Sequence, residues 1–179
     1  MNADGSRSRD IWRQLLPEDV AVGECAPCVD ELGLHQEEDP LAQSFGPKRR
    51  SHFAAGRRCA RAAMAELGLA PCSVMAEERR PVWPEGIVGS ISHTEDYCAA
   101  VVARTSRYRS LGVDVERTRA LDEAVASRIS VDGELDALPR SLSPLILFSA
   151  KEAFYKLQSP LTGVFLGFRD VRVEVEVEG

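Results

Sequence analysis

The sequence predicts an α+β protein, and three observations carry that prediction. Apolar residues recur at three- and four-residue spacing over 51–67 and 145–158, as on the buried face of a helix. Short apolar runs at 88–92, 97–103 and 111–116 are bounded by turn residues, as strands are. Near the end, Val171, Val173, Val175 and Val177 alternate with charged residues, the two-residue period of a strand with one apolar face. With 179 residues, 44% hydrophobic and 28% charged, the chain can bury one core or two small lobes sharing an interface.

In chain order, residues 1–47 carry several prolines and charges and read as a lead-in with at most short helices. The helix over 51–67 is set by Phe53, Cys59, Ala60, Ala63, Met64 and Leu67, with Gly68 as its stop and its arginines mainly on the opposite face. Residues 71–86 are loop with a short strand. Strands at 88–92 and 97–103 are joined by His93-Thr94-Glu95-Asp96, and 111–116 is the third strand of that group. A helix near 121–128 and another near 134–138, broken at Pro139, fill a stretch in which nothing chemical stands out. The helix over 145–158 ends at Pro160, and 170–178 is a strand that wants a partner.

Composition excludes some classes of function. A net charge of −6 argues against a nucleic-acid partner, which needs a broad basic surface. Charge is nonetheless uneven: residues 48–61 hold six basic side chains and no acid. They are either a solvated helix face or a phosphate site. The amino terminus lacks an apolar run, and the longest apolar stretches, such as 98–103, are too short to span a membrane, so a cytoplasmic location is expected. Five cysteines, an odd number without a framework, are expected to be reduced thiols, Cys25-Ala26-Pro27-Cys28 included; no second CxxC or paired histidines answer it as a zinc site would require.

The chemistry concentrates in Gly112-Val113-Asp114-Val115-Glu116 and Phe148-Ser149-Ala150-Lys151-Glu152-Ala153-Phe154-Tyr155-Lys156. As a strand, the first segment points Asp114 and Glu116 from one face, about 7 Å apart. As a helix, the second stacks Glu152 one turn from Lys156, with Lys151 on a neighbouring face. Carboxylates and lysines in this mixture suit a polyphosphate bound to Mg²⁺. The plainer reading makes the acids ordinary surface carboxylates, Glu152 and Lys156 a helix ion pair and the lysines solvated, but an acid pair embedded in an apolar strand is costly unless something neutralises it.

These two segments resemble the double signature of the phosphopantetheinyl transferases. Gly89-Ser90-Ile91-Ser92-His93-Thr94, preceded by Pro81-Val82-Trp83-Pro84, resembles the motif upstream of the metal strand in Sfp-type members, and the basic stretch from Arg49 to Arg61 resembles their amino-terminal helix, particularly in the enterobactin-synthetase component D branch. The resemblance runs from about Trp12 to Val177. It implies two pseudo-symmetric αβ lobes, 1–117 with the basic helix and metal strand and 118–179 with the signature helix. The second lobe then reads as truncated at the carboxyl terminus, its final strand paired within the chain, swapped with another copy, or completed by further residues.

The resemblance further implies Mg²⁺-dependent transfer of the 4'-phosphopantetheine arm of coenzyme A to a serine of an apo acyl or peptidyl carrier protein, releasing 3',5'-ADP, by a monomer. Asp114, Glu116 and Glu152 are then the metal ligands, and Asp114, Glu152 and Lys156 the catalytic residues, Glu152 taking the serine proton directly or through a metal-bound water. Arg49, Arg57, His93, Lys151 and one of Arg79 and Arg80 meet phosphates; His93 is equally able to cap a turn. Gly89 and Ser90 leave room for the adenine. Trp83, Phe154, Tyr155, Phe165 and Phe168 are expected in the core, with Phe165 the exception that lines the pantetheine channel or meets the carrier. Alternatives are a trimeric holo-acyl-carrier-protein synthase, against which the Ser-Ile-Ser-His block and basic helix argue, a coenzyme A-binding regulatory or inactive homologue, and a Mg²⁺-nucleotide hydrolase, for which no GxxxxGK[ST] loop is present.

Overall fold

The computed structural model of the chain describes residues 4–30, 33–77, 80–136 and 143–174. Two compact units divide between Leu111 and Gly112. The segment bearing Asp114 and Glu116 therefore belongs with the second unit, against the boundary at 117/118 expected from the sequence.

The first unit contains α1 (Asp4–Leu15), β1 (Ala21–Cys25), the single turn α2 (Asp39–Ala42), α3 (Pro47–Glu66), β2 (Met75–Glu77), β3 (Arg80–Val82), β4 (Ile87–His93) and β5 (Cys98–Arg104). The expected hairpin is β4 and β5, antiparallel with Ile87 opposite Arg104 and His93 opposite Cys98. Thr94 N donates to Tyr97 O across its turn at 2.7 Å. The third strand is β1, from within the supposed lead-in: sheet order is β1-β5-β4, with Ala21 opposite Val102. β5 is central and buried from Cys98 to Ala103, as its unbroken apolar run requires. β2 and β3 form a separate two-stranded ribbon.

Pro47 starts α3, where a missing N–H costs nothing. Its inward face is small: Ala55, Cys59, Ala60 and Ala63 are at most 1% exposed and share one core cluster with Ala21, Ala100 and Val102. Small side chains bring helix and sheet very close, so that a Cβ at Gly23 of β1 would lie 2.0 Å from Cys59 O. α1 is tied in by Trp12 Nε1, which donates to Tyr97 Oη at 2.8 Å, while that hydroxyl donates to Glu24 Oε1 at 2.7 Å.

The second unit contains α4 (Glu123–Ile129) and α5 (Ser143–Thr162). Asp122 caps α4, its carboxylate accepting from Val125 N at 2.8 Å. α5 runs past its expected end: Pro160 sits inside the last turn, and Gly163 closes it at φ +66°, a conformation that suits glycine. Two expected strands are corrected. Residues 111–117 are neither helix nor strand: the third strand of the sheet is β1, and from Gly112 on the segment lies on α5. Residues 171–174 are not a strand either; Val173 N donates to the Glu134 carboxylate, and 175–179 lie outside the described residues. The helix expected at 134–138 is a turn as far as 136, and the remainder, with Arg79, is likewise outside them. No helix among the described residues is long and apolar enough to cross a membrane.

Candidate active site

In the second unit, a glycine sets the geometry. A Cβ at Gly112 would lie 2.0 Å from Ala153 O and 2.7 Å from the Leu157 Cβ, so only glycine lets this segment lie directly on α5. The close approach brings Asp114 to the helix, where its Oδ1 accepts from Lys156 Nζ at 2.7 Å; the ammonium also donates to Val113 O at 3.2 Å. Asp114 is 6% exposed in its side chain and its Oδ2 is buried. Glu116, two residues on, is half-buried. Glu152, one turn before Lys156, feels all of these charges. Burial pushes its carboxyl above the ordinary carboxylate range; Lys156 opposes that, and the like charges of Asp114 and Glu116 add to it. The sequence thus brings Asp114, Glu116, Glu152 and Lys156 into one electrostatic cluster, by way of a glycine contact and not a shared strand face.

Glu152 also lines a cavity of about 240 Å³, with Lys151, Phe154 and Tyr155 of α5 on one side and Phe165, Leu166, Gly167, Phe168 and Val171 on the other. Phe165 is 79% exposed and meets the Tyr155 ring edge-on, with centroids 5.9 Å apart, and Phe154 is 41% exposed. Phe154 is therefore not the core residue expected, Phe165 stands outside the core as the named exception, and Phe168 stacks on Phe148 at 5.3 Å.

Lys151, expected on a phosphate, makes three bonds inside the unit. Its ammonium is buried, and its three protons go to Ile129 O, Glu134 Oε2 and Phe168 O, each at 2.8 Å. Glu134 is the residue that sequence reasoning missed. Burial raises its carboxyl, but the Lys151 ammonium and the Val131 and Val173 amides outweigh this and hold it below the ordinary range. Apart from the Val131 amide three positions before it, its partners Lys151 and Val173 stand 17 and 39 positions away, so no local pattern marks the role.

In the first unit the basic stretch is mostly occupied. Arg57 is 7% exposed, donates from Nε and Nη2 to Val74 O and Met75 O at 3.0 and 3.2 Å, and lies 3.7 Å over the Phe53 ring. It braces the chain before β2, and burial lowers its pKa to about 10, which leaves it charged at neutral pH. Arg57, expected on a phosphate, thus spends Nε and Nη2 on backbone carbonyls. Arg58 reaches Ala26 O at 2.9 Å, Arg50 pairs with Asp39 at 2.6 Å, and Arg61 pairs with the wholly buried Glu38 at 2.7 Å. Arg49 is exposed, over Phe45 at 3.9 Å. Arg80 and His93 are exposed, His93 with its ring 4.5 Å from that of His52. Ser90 is buried at 4%, and the space above Gly89 is filled by Trp83, whose ring atoms would stand 2.7 Å from a Cβ there. The side of Gly89 expected to leave room for an adenine is thus covered by Trp83.

Two family models match, the 4'-phosphopantetheinyl transferase N-terminal domain over residues 37–103 and the 4'-phosphopantetheinyl transferase superfamily over 110–179. The chain is 40% identical over 169 residues to the 4'-phosphopantetheinyl transferase Npt of Nocardia iowensis, covering 92% of this chain and 76% of that one. The chain belongs to the 4'-phosphopantetheinyl transferase family. It is 38% identical to the 4'-phosphopantetheinyl transferase PptT of Mycobacterium tuberculosis over 90% of this chain and 74% of that one. With enterobactin synthase component D of Escherichia coli (strain K12) it shares 33% identity over 73% and 64% of the two chains. It is a phosphopantetheinyl transferase of mixed helix and sheet, and the two family matches accord with its two units.

The family's expected magnesium ion can be set against these residues. Among the described residues no three Asp, Glu, His or Cys side chains gather closely enough to hold a metal ion. The donors fit in kind, however: Asp114, Glu116 and Glu152 offer only hard carboxylate oxygens, and their charges bear on one another.

Proposed function

We propose that this transferase moves the 4'-phosphopantetheine arm of coenzyme A to a serine hydroxyl of an apo acyl or peptidyl carrier protein, with Mg²⁺, releasing 3',5'-ADP. The observation that carries this reading is the cluster on α5, where the raised carboxyl of Glu152 stands among Asp114, Glu116 and Lys156. In the reaction, the serine oxygen forms a bond to the β-phosphorus as the bond from that phosphorus to the bridging oxygen of 3',5'-ADP breaks.

Glu152 accepts the serine proton, directly or through a water. Lys156, 27% exposed in its side chain, places its charge or a proton on the departing phosphate. Asp114 and Glu116 with Glu152 hold the magnesium ion, which when bound neutralises pyrophosphate charge. Asp114 orients Lys156 through the 2.7 Å ion pair. On the first unit, exposed Arg49, Arg80 and His93 are the proposed contacts to the nucleotide's phosphates.

Intact-mass spectrometry of an apo carrier protein incubated with the chain and coenzyme A tests the reading. A gain of one phosphopantetheinyl group with Mg²⁺ and none without is expected. Coenzyme A binding without any gain on acyl and peptidyl carriers would contradict transfer and favour a binding-only role.

A further inference from the structure

The cavity beside Glu152 has one wall with secondary structure and one without. α5 supplies the first. The second, Phe165 to Phe168 and Val171, comes from residues 163–174, which form neither helix nor strand. Such a stretch takes its position from its bonds to other parts of the unit. Two of those bonds flank the lining residue Val171: Phe168 O accepts from Lys151 Nζ at 2.8 Å, and Val173 N donates to Glu134 Oε1 at 2.7 Å. Both run to one buried ion pair, in which Lys151 and Glu134 side chains are 2% and 0% exposed.

That pair is itself fixed. Lys151 spends all three protons, and Glu134 Oε2 accepts from Val131 N at 2.6 Å as well as from the ammonium. Apolar side chains of similar volume would stabilise the interior about as well as a buried ion pair does. They would not hold two backbone groups of an irregular segment in fixed directions, which an ammonium and a carboxylate do. The geometry points to Lys151 and Glu134 as positioning residues that set the wall at 165–171 against α5, and so fix the shape of the cavity at Glu152 for the substrate group that enters it. This rests on the reading that Glu152 stands at the reacting centre.

The test is the double variant Lys151→Met with Glu134→Leu, which removes both charges together and leaves neither buried alone. It should remain folded, with amides of 165–174 exchanging faster while those of α5 do not. The KM for one substrate, coenzyme A or the apo carrier, should rise about tenfold with kcat lowered less than about threefold. Lys151→Arg, which keeps the charge and several donors, should recover much of that KM. Unchanged KM values in the folded double variant would overturn the proposal, and so would a fall in kcat at unchanged KM, which would mean that Lys151 acts on the reacting groups. If the double variant does not fold, hydrogen exchange of the unsubstituted chain decides: Val173 N–H should be protected like the interior of α5, and exchange at the rate of a free peptide would overturn the proposal. Asp114→Ala, run alongside, tests the site itself; if it abolishes transfer while the double variant keeps its KM values, only the positioning role falls.

Discussion

Each unit draws a carboxylate out of water, wholly at Glu38 and partly at Glu152, and the two are treated in opposite ways. In the first, Glu38 is wholly buried, and both its oxygens accept from Arg61 Nη1 at 2.7 Å, with Val74 N and His35 N adding bonds at 2.8 and 2.9 Å. In the second, Glu152 is pushed up by burial and by two like charges, against a single opposing lysine. A carboxylate satisfied on every side stabilises a fold and is unavailable for chemistry; one left in electrostatic conflict destabilises the fold and is ready to take a proton or a cation. The contrast recurs inside the second unit, where Glu134 is satisfied and Glu152 next to its partner Lys151 is not.

The largest expected effect on stability comes from the satisfied acid. Glu38→Ala takes the ionic partner from Arg61 and the acceptor from the Val74 and His35 amides and should cost about 3–5 kcal/mol in urea unfolding, with transfer per folded molecule unchanged. A loss below about 1 kcal/mol would erase the contrast. Gly112→Ala is next. Its methyl must displace the segment from α5, costing about 1–3 kcal/mol, and transfer should fall even where the variant is fully folded, because Asp114 leaves Lys156. Normal turnover in a folded Gly112→Ala would show that the close approach is only packing. Arg57→Leu should cost a similar amount of stability, about 1–3 kcal/mol from two carbonyls losing their donor, but with the KM for coenzyme A unchanged. A raised KM would return Arg57 to the phosphates.

Local periodicity made α3, α5 and the β4–β5 hairpin legible, since each is specified by spacing within a few residues. β1 was not: Ala-Val-Gly-Glu-Cys has little alternation, and it is a strand because one edge of β5 is open to it and Gly23 lets it close on Cys59. Val113 and Val115 imitate a strand for the same local reason, yet the segment that carries them lies on α5 and is not a strand. The cluster of Asp114, Glu116, Glu152 and Lys156 could be read from two short segments, whereas the work of Arg57, Arg61 and Lys151 could not. Their spacing tells which helix face they occupy, and their partners, Val74 O, Glu38 and Glu134, lie in segments that only the fold brings near.

The thermal midpoint of Glu152→Gln against the unsubstituted chain, followed with pH alongside transfer, tests the contrast most directly. Because the Glu152 carboxyl is raised in the folded state, the folded chain holds that proton more tightly than the unfolded chain, so the ionised group weakens the fold at neutral pH and the penalty disappears as pH falls through the raised value. Glu152→Gln should therefore abolish transfer yet melt above the unsubstituted chain at neutral pH, the two midpoints converging near pH 4. A variant that melts lower at neutral pH, or that still transfers, would contradict the claim that this carboxylate is kept in conflict for its chemistry.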